Sequence, residues 1–114
     1  LVINVPEMRL YDFTVTPTIS RPPLRASHNA LEPVSIGGED AGDIRRAWVP
    51  YLNLFNLTGH PAVSIPCGWT PDGSPGGLQI VGAWHSDGEV LRIAAAFEAA
   101  RPWADRIPPH APGA

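Results

Sequence analysis

Residues Phe55 to Gly82 read FNLTGHPAVSIPCGWTPDGSPGGLQIVG, and the reading of this stretch decides the fold. Ala62 to Pro66 and Leu78 to Ala83 are two short apolar runs, which predicts two strands. Between them Pro71-Asp72-Gly73 is good turn chemistry: proline presets its own φ, while aspartate and glycine tolerate the bend. The expected unit is an antiparallel hairpin with a long loop.

Downstream of the hairpin, Ser86-Asp87-Gly88-Glu89 has the spacing of a capping box, in which serine and glutamate reciprocally satisfy free backbone N–H groups. Val90, Ile93, Ala94 and Phe97 then recur on one helical face until Pro102 stops the run, so a helix is expected from about Glu89 to Ala100. Trp103 to Ala114 reads as a Pro-rich tail. Upstream, Asp12 to Thr18 alternates Phe13 and Val15 with Thr14 and Thr16, which predicts an isolated strand ending near Pro17. Ile19 to Gly38 contains three prolines and two glycines without sustained periodicity, the composition of a long surface connection. Ile44, Ala47 and Trp48 share a helical face, with Asp40 and Asp43 near its start. A helix of two to three turns is expected over Ala41 to Val49, ended by Pro50.

Composition limits what such a chain can be. Prolines and glycines make up about a fifth of the 114 residues, yet 44% of the chain is hydrophobic and four residues are tryptophan. That is irregular for a complete small domain and too apolar for an intrinsically disordered one. The expectation is a single partial domain spanning 1–114, a loop-rich piece of something longer that opens on Leu1 without a cap. By itself it is expected to fold poorly, because small chains balance burial against entropy near zero. A net charge of -3 offers no basic footprint, so no nucleic-acid partner is expected. No apolar run spans a bilayer and no export signal is present, so no membrane is expected and the cytoplasm is the default location. One cysteine, Cys67, excludes an internal disulfide.

Candidate chemistry is sparse. Gly73-Ser74-Pro75-Gly76-Gly77 is the nearest string to a nucleophile elbow, but Pro75 spoils it, so Ser74 reads as a turn residue. Cys67 and His60, seven residues apart, invite a Cys-His pair, although a free cysteine is more commonly a small buried hydrophobe. The histidines at 28, 60, 85 and 110 lack the paired spacings of a zinc site, and neither metal nor cofactor is expected. Asn56-Leu57-Thr58 matches a glycosylation sequon, but without export Asn56 and Thr58 read as loop or cap residues. Arg45 and Arg46 could clamp a carboxylate, but adjacent helical charges more commonly form a solvated face.

Four short motifs in order carry a family resemblance: Tyr11-Asp12 with Thr16-Pro17-Thr18, Asn56-Leu57-Thr58-Gly59-His60-Pro61-Ala62, Gly77-Leu78-Gln79, and the final helix. Together they resemble the carboxyl-terminal part of an amidase signature hydrolase. The resemblance implies an α/β fold, a mixed sheet covered by helices, to which this chain adds a few short strands and two helices with long loops. It also implies hydrolysis of a small-molecule carboxamide by a serine nucleophile, with a cis-peptide serine and a neutral lysine relaying protons. The chain has eight arginines and no lysine. It therefore lacks the base, and the resemblance implies that the two serines lie upstream as well, in a Gly/Ser-rich segment that these residues do not contain, so no catalytic residue is assigned. What the resemblance does suggest is a supporting role, at the pocket wall or just behind it, for Thr16, Thr18, Asn56, Thr58 and Gly59; the plain alternative is that they only terminate a strand and order a turn. Two alternatives stand beside this: a non-catalytic remnant or interaction module whose open strand edges invite self-association, and, within the family, the A-type subunit of a tRNA-dependent amidotransferase.

Overall fold

The computed structural model describes residues 12–29, 31–47 and 49–107. Within them the element order is β1 (Phe13–Pro17), β2 (Ser35–Ile36), β3 (Glu39–Asp40), α1 (Ile44–Ala47), α2 (Pro50–Thr58), β4 (Ala62–Trp69), β5 (Pro75–Gly82) and α3 (Asp87–Ala100). The hairpin forms as expected, with both strands extended toward the turn. Its antiparallel register runs from Ala62 opposite Val81 to Trp69 opposite Pro75, with an irregularity between Pro66 and Gly68. Pro66 has no N–H to give to a ladder, which suits it to the interruption. The turn is closed by Thr70 N–H to the Ser74 carbonyl and Gly73 N–H to the Thr70 carbonyl, both at 2.9 Å.

The first strand is not isolated. β1 pairs antiparallel with β5, Phe13 opposite Gly82 through Pro17 opposite Leu78, giving a three-stranded sheet in the order β1-β5-β4. Because side chains alternate along a strand, the register sorts them onto two faces. Val15, Ile80 and Val63, then Leu78 and Ile65, share the face that α3 covers, where Ile65, Ile80 and Ala94 form the main cluster with Ile93, Phe97 and Trp103 against it. Val90 and Ala94 are the buried positions of α3, as the periodicity predicts. On the opposite face Val81 packs with Phe55 of α2. Each such buried side chain contributes about 1.5–3 kcal/mol relative to exposure, and the buried apolar set among the described residues is small: Val34, Ala47, Phe55, Ile65, Ile80, Val81, Val90 and Ala94.

Other sequence expectations also need correction. The helix expected over 41–49 is a single turn, Ile44–Ala47, begun by Asp43, whose carboxylate accepts from Arg46 N–H at 3.0 Å; Trp48 lies outside the described residues. Pro50 begins a helix where it was expected to end one, since the first turn has no use for the N–H that proline lacks. Asn56 and Thr58 consequently lie in a helix, not a loop, and the described residues hold three helices. The capping box does not form: the Ser86 hydroxyl donates to the Ala83 carbonyl at 2.6 Å, and Glu89 pairs with Arg92 at 3.0 Å. The 19–38 connection also carries structure. Val34, fully buried, exchanges backbone bonds with Ala41 and Gly42 and leads into the β2-β3 pair.

Candidate functional site

The sheet face opposite α3 becomes polar toward the hairpin turn. Register places Thr16, Gln79 and Ser64 side by side on adjacent strands, and Thr18 follows beyond the end of β1. Gln79 is 3% exposed, and its amide nitrogen donates to Thr16 Oγ1 at 2.9 Å and to the Tyr51 carbonyl at 3.1 Å. Thr18 Oγ1 and Ser64 Oγ are 2.6 Å apart, and Thr18 N–H donates to the Gly77 carbonyl at 3.0 Å. Two hydroxyls bonded to one another use one proton between them. The second remains available to an acceptor.

Gly77 makes this approach possible. A Cβ there would lie 2.7 Å from Thr18 Oγ1 and 3.3 Å from Ser64 Oγ, so any side chain would displace the hydroxyl pair. Two open depressions flank it: one of about 280 Å³ lined by Ser64, Pro66, Gly76 and Gly77, and one of about 240 Å³ that includes Pro17, Thr70 and Gly77.

Thr16 and Thr18 thus share a site, and it includes Gln79 and Ser64. Asn56, Thr58 and Gly59 are not brought to it. They lie at the carboxyl end of α2, which leads into Ala62 opposite Val81, the other end of the sheet. There Gly59 adopts φ 70° and returns its N–H to the Phe55 carbonyl, the left-handed close that glycine makes without strain. Thr58 is buried; its hydroxyl is 2.8 Å from His60 Nδ1, and its carbonyl accepts from the Trp84 indole at 2.9 Å. His60 stacks on Trp84 with ring centres 5.1 Å apart and meets Phe55 edge-on. Asn56 is exposed on the helix.

Other candidates fall into plain structural roles. His60 is committed to Thr58, Trp84 and Phe55, while Cys67 sits half-buried and free well along β4, so the two do not form a pair. Ser74 is held in the turn by Thr70. The hydroxyl of Thr70, followed by Ser74 N–H, holds the Asp72 carboxyl below its ordinary range. Among the described residues no three His, Cys, Asp or Glu side chains are grouped to hold a metal, and no helix is long and apolar enough to cross a membrane.

Ser64 and Gln79 were not singled out from sequence as site residues. The signal was present in the hairpin: once Ala62 is set opposite Val81, alternation puts Ser64 opposite Gln79 on the same face as Thr16.

Comparison with known proteins is consistent across sequence and structure. A family model described as Amidase matches residues 5–91. An acylamidase from Rhodococcus erythropolis is 39% identical over 103 residues, covering 89% of this chain and 20% of that protein. The A-type subunit of a glutamyl-tRNA(Gln) amidotransferase from Thermodesulfovibrio yellowstonii is 35% identical over 92 residues, 81% of this chain and 17% of that protein. The crystal structure of a bacterial aryl acylamidase of the amidase signature family superposes with a TM-score of 0.70 at 35% identity, covering 82% of this chain and 19% of that one. The chain spans about a fifth of the length of the relatives it matches.

Proposed function

The chain belongs to the amidase family, and on that premise we propose that it is one part of a larger domain that hydrolyses a carboxamide bond, with the nucleophile and its base supplied by residues outside these 114. The single observation that carries this reading is the combination of the match over 5–91 with a sequence that contains no lysine. A serine must lose its proton to attack an amide carbonyl, and in this family's arrangement a neutral lysine takes it. This chain supplies no such base.

What the chain contributes is a wall. Thr16, Thr18, Ser64 and Gln79 present fixed hydroxyl and amide groups on one sheet face. Held by the backbone and by each other, such groups orient a bound polar group without reorganising when it arrives. Thr58 and Gly59 fix the end of α2, which in turn holds Tyr51 against Gln79. The exposed apolar residues support the partial-domain reading: Phe13 and Val15 are 40% and 45% exposed at the margin of the sheet, and Leu57 on α2 is 70% exposed. A larger domain covers such faces. The single cysteine suits a reducing compartment, the cytoplasm, as the place of work.

Two measurements test this. The purified chain, incubated with a panel of simple amides, shows no turnover; turnover abolished by a fluorophosphonate that labels one serine would overturn the assignment of catalysis to other residues. A chimera in which this chain replaces the matching fifth of the Rhodococcus acylamidase retains amide hydrolysis. A folded, monodisperse chimera without activity would overturn the wall.

A further inference from the structure

The stretches 21–28 and 32–35 border, with the hairpin turn, a cavity of about 630 Å³. Arg21 ties the two stretches together, its Nη1 donating to the Ser35 carbonyl at 2.8 Å. Between them His28 N–H donates to the Arg25 carbonyl and Glu32 N–H to the Asn29 carbonyl, both at 2.9 Å, so the segment turns twice and stays beside the cavity. Arg21, Arg25 and His28 all belong to its wall. Arg21 Nε and His28 Nδ1 are buried and have no hydrogen-bond partner among the described residues, and no described carboxylate pairs with either arginine. Buried polar groups in folded proteins almost always have a partner, and leaving one unmade costs most when the group is charged. Both orphaned nitrogens belong to side chains of one cavity wall, so that cavity is where the missing acceptor belongs.

The wall selects the acceptor's chemistry. A guanidinium only donates and stays charged, so Arg21 and Arg25 call for an oxyanion, and a planar carboxylate matches the guanidinium fork. Pro23, Leu24 and Pro33 add apolar surface, which a carboxylate with a short hydrocarbon chain can cover and an inorganic anion cannot. Two carboxylates, Glu32 and Asp72, also line the cavity and oppose an anion. Asp72 is engaged in the hairpin turn, where its Oδ1 receives the Thr70 hydroxyl and the Ser74 N–H; Glu32 is exposed. We propose that this cavity binds a small aliphatic monocarboxylate, its oxygens accepting from Arg21, Arg25 and His28 and its hydrocarbon against Leu24 and the flanking prolines. The proposal concerns binding alone and stands apart from the catalytic reading above.

Butyrate titrated into the acylamidase chimera carrying this chain, at constant ionic strength, tests it, with the Arg21 Nε–H and the His28 ring nitrogens followed by NMR. Saturable shifts at both residues are expected. The neutral isostere 2-pentanone is expected to leave them unshifted, and inorganic phosphate, an anion without hydrocarbon, to bind about tenfold more weakly than butyrate. Two substitutions at exposed positions move the affinity in opposite directions: Arg25→Gln weakens butyrate about tenfold and Glu32→Gln tightens it about threefold, a gain that a misfolded variant does not give. Turnover is not read, so a chimera without activity still reports on this site. The site is overturned if butyrate does not saturate, if 2-pentanone shifts the same resonances to the same extent, if phosphate binds as tightly, or if both substitutions leave the affinity unchanged.

Discussion

Gln79 donates to Thr16 across the β1-β5 pair at 2.9 Å while the same amide group reaches the Tyr51 carbonyl at 3.1 Å. One buried side chain therefore ties two strands and α2 together. The carbonyl of Tyr51 can only accept, which fixes the orientation of the amide.

Gln79→Ala removes the donor and with it the hydrogen bonds to Thr16 Oγ1 and to the Tyr51 carbonyl on a covered face. Urea unfolding of the acylamidase chimera carrying this chain is expected to show a loss of about 2 kcal/mol, in the range for two hydrogen bonds from a buried amide. A variant unfolding at the same urea concentration as the parent would mean that α2 is held by Phe55 against Val81 alone.

Gly77→Ala is expected to act at the site before it acts on the fold. The added Cβ would displace Thr18 Oγ1, so the hydroxyl pair with Ser64 should be lost while the β4-β5 register persists. The check is NMR: chemical-shift changes centred on Thr18 and Ser64, with strand-to-strand contacts across Leu78 and Ile65 retained.

Gly59 sits at φ 70° with open space where a Cβ would stand. Gly59→Ala therefore tests backbone strain without a clash, and is expected to destabilise by about 1 kcal/mol, with Gly59→Asn milder because asparagine tolerates this region. Equal stability of the alanine variant, read by thermal melting, would contradict the left-handed close of α2.

Asp72 is the group through which the hairpin turn responds to pH. The Thr70 hydroxyl, then the Ser74 N–H, favours its ionised form, so its folded pKa lies below the unfolded one. The sign follows: the stabilisation is present above the unfolded value and is lost as pH falls through the folded value. Thr70→Val is expected to return the Asp72 titration toward the ordinary aspartate range, measured from its side-chain carboxyl resonance. An unchanged titration would assign the effect to the backbone of the turn.

The sequence was most legible where one periodicity acted alone. Val90, Ile93, Ala94 and Phe97 recur at helical spacing beside polar neighbours, and α3 buries that stripe. The hairpin was legible for the same reason, with its turn residues adding direction. Helix α2 was not, because Leu54 and Leu57 point outward while a threonine, Thr58, occupies a buried position, so the stripe that marks a helix is blurred on both faces. Pro50 compounds this, since proline ends one helix as readily as it begins another. Thr16 and Thr18 could be named from their motif, but their partners Ser64 and Gln79 depend on pairing between segments some 46 and 63 residues apart. Such pairing is a property of register, which short-range patterns do not encode.

The most direct measurement is made on the acylamidase chimera carrying this chain, comparing kcat/KM for several amides with and without Thr18→Val. If the sheet face forms part of the substrate wall, the parent chimera hydrolyses amides and the valine variant, deprived of one hydroxyl of the Thr18–Ser64 pair, loses about tenfold in kcat/KM on amides whose polar groups reach that face, while folding normally. A folded valine variant with unchanged kcat/KM on every amide would contradict the account and leave Thr18 as the closure of a strand.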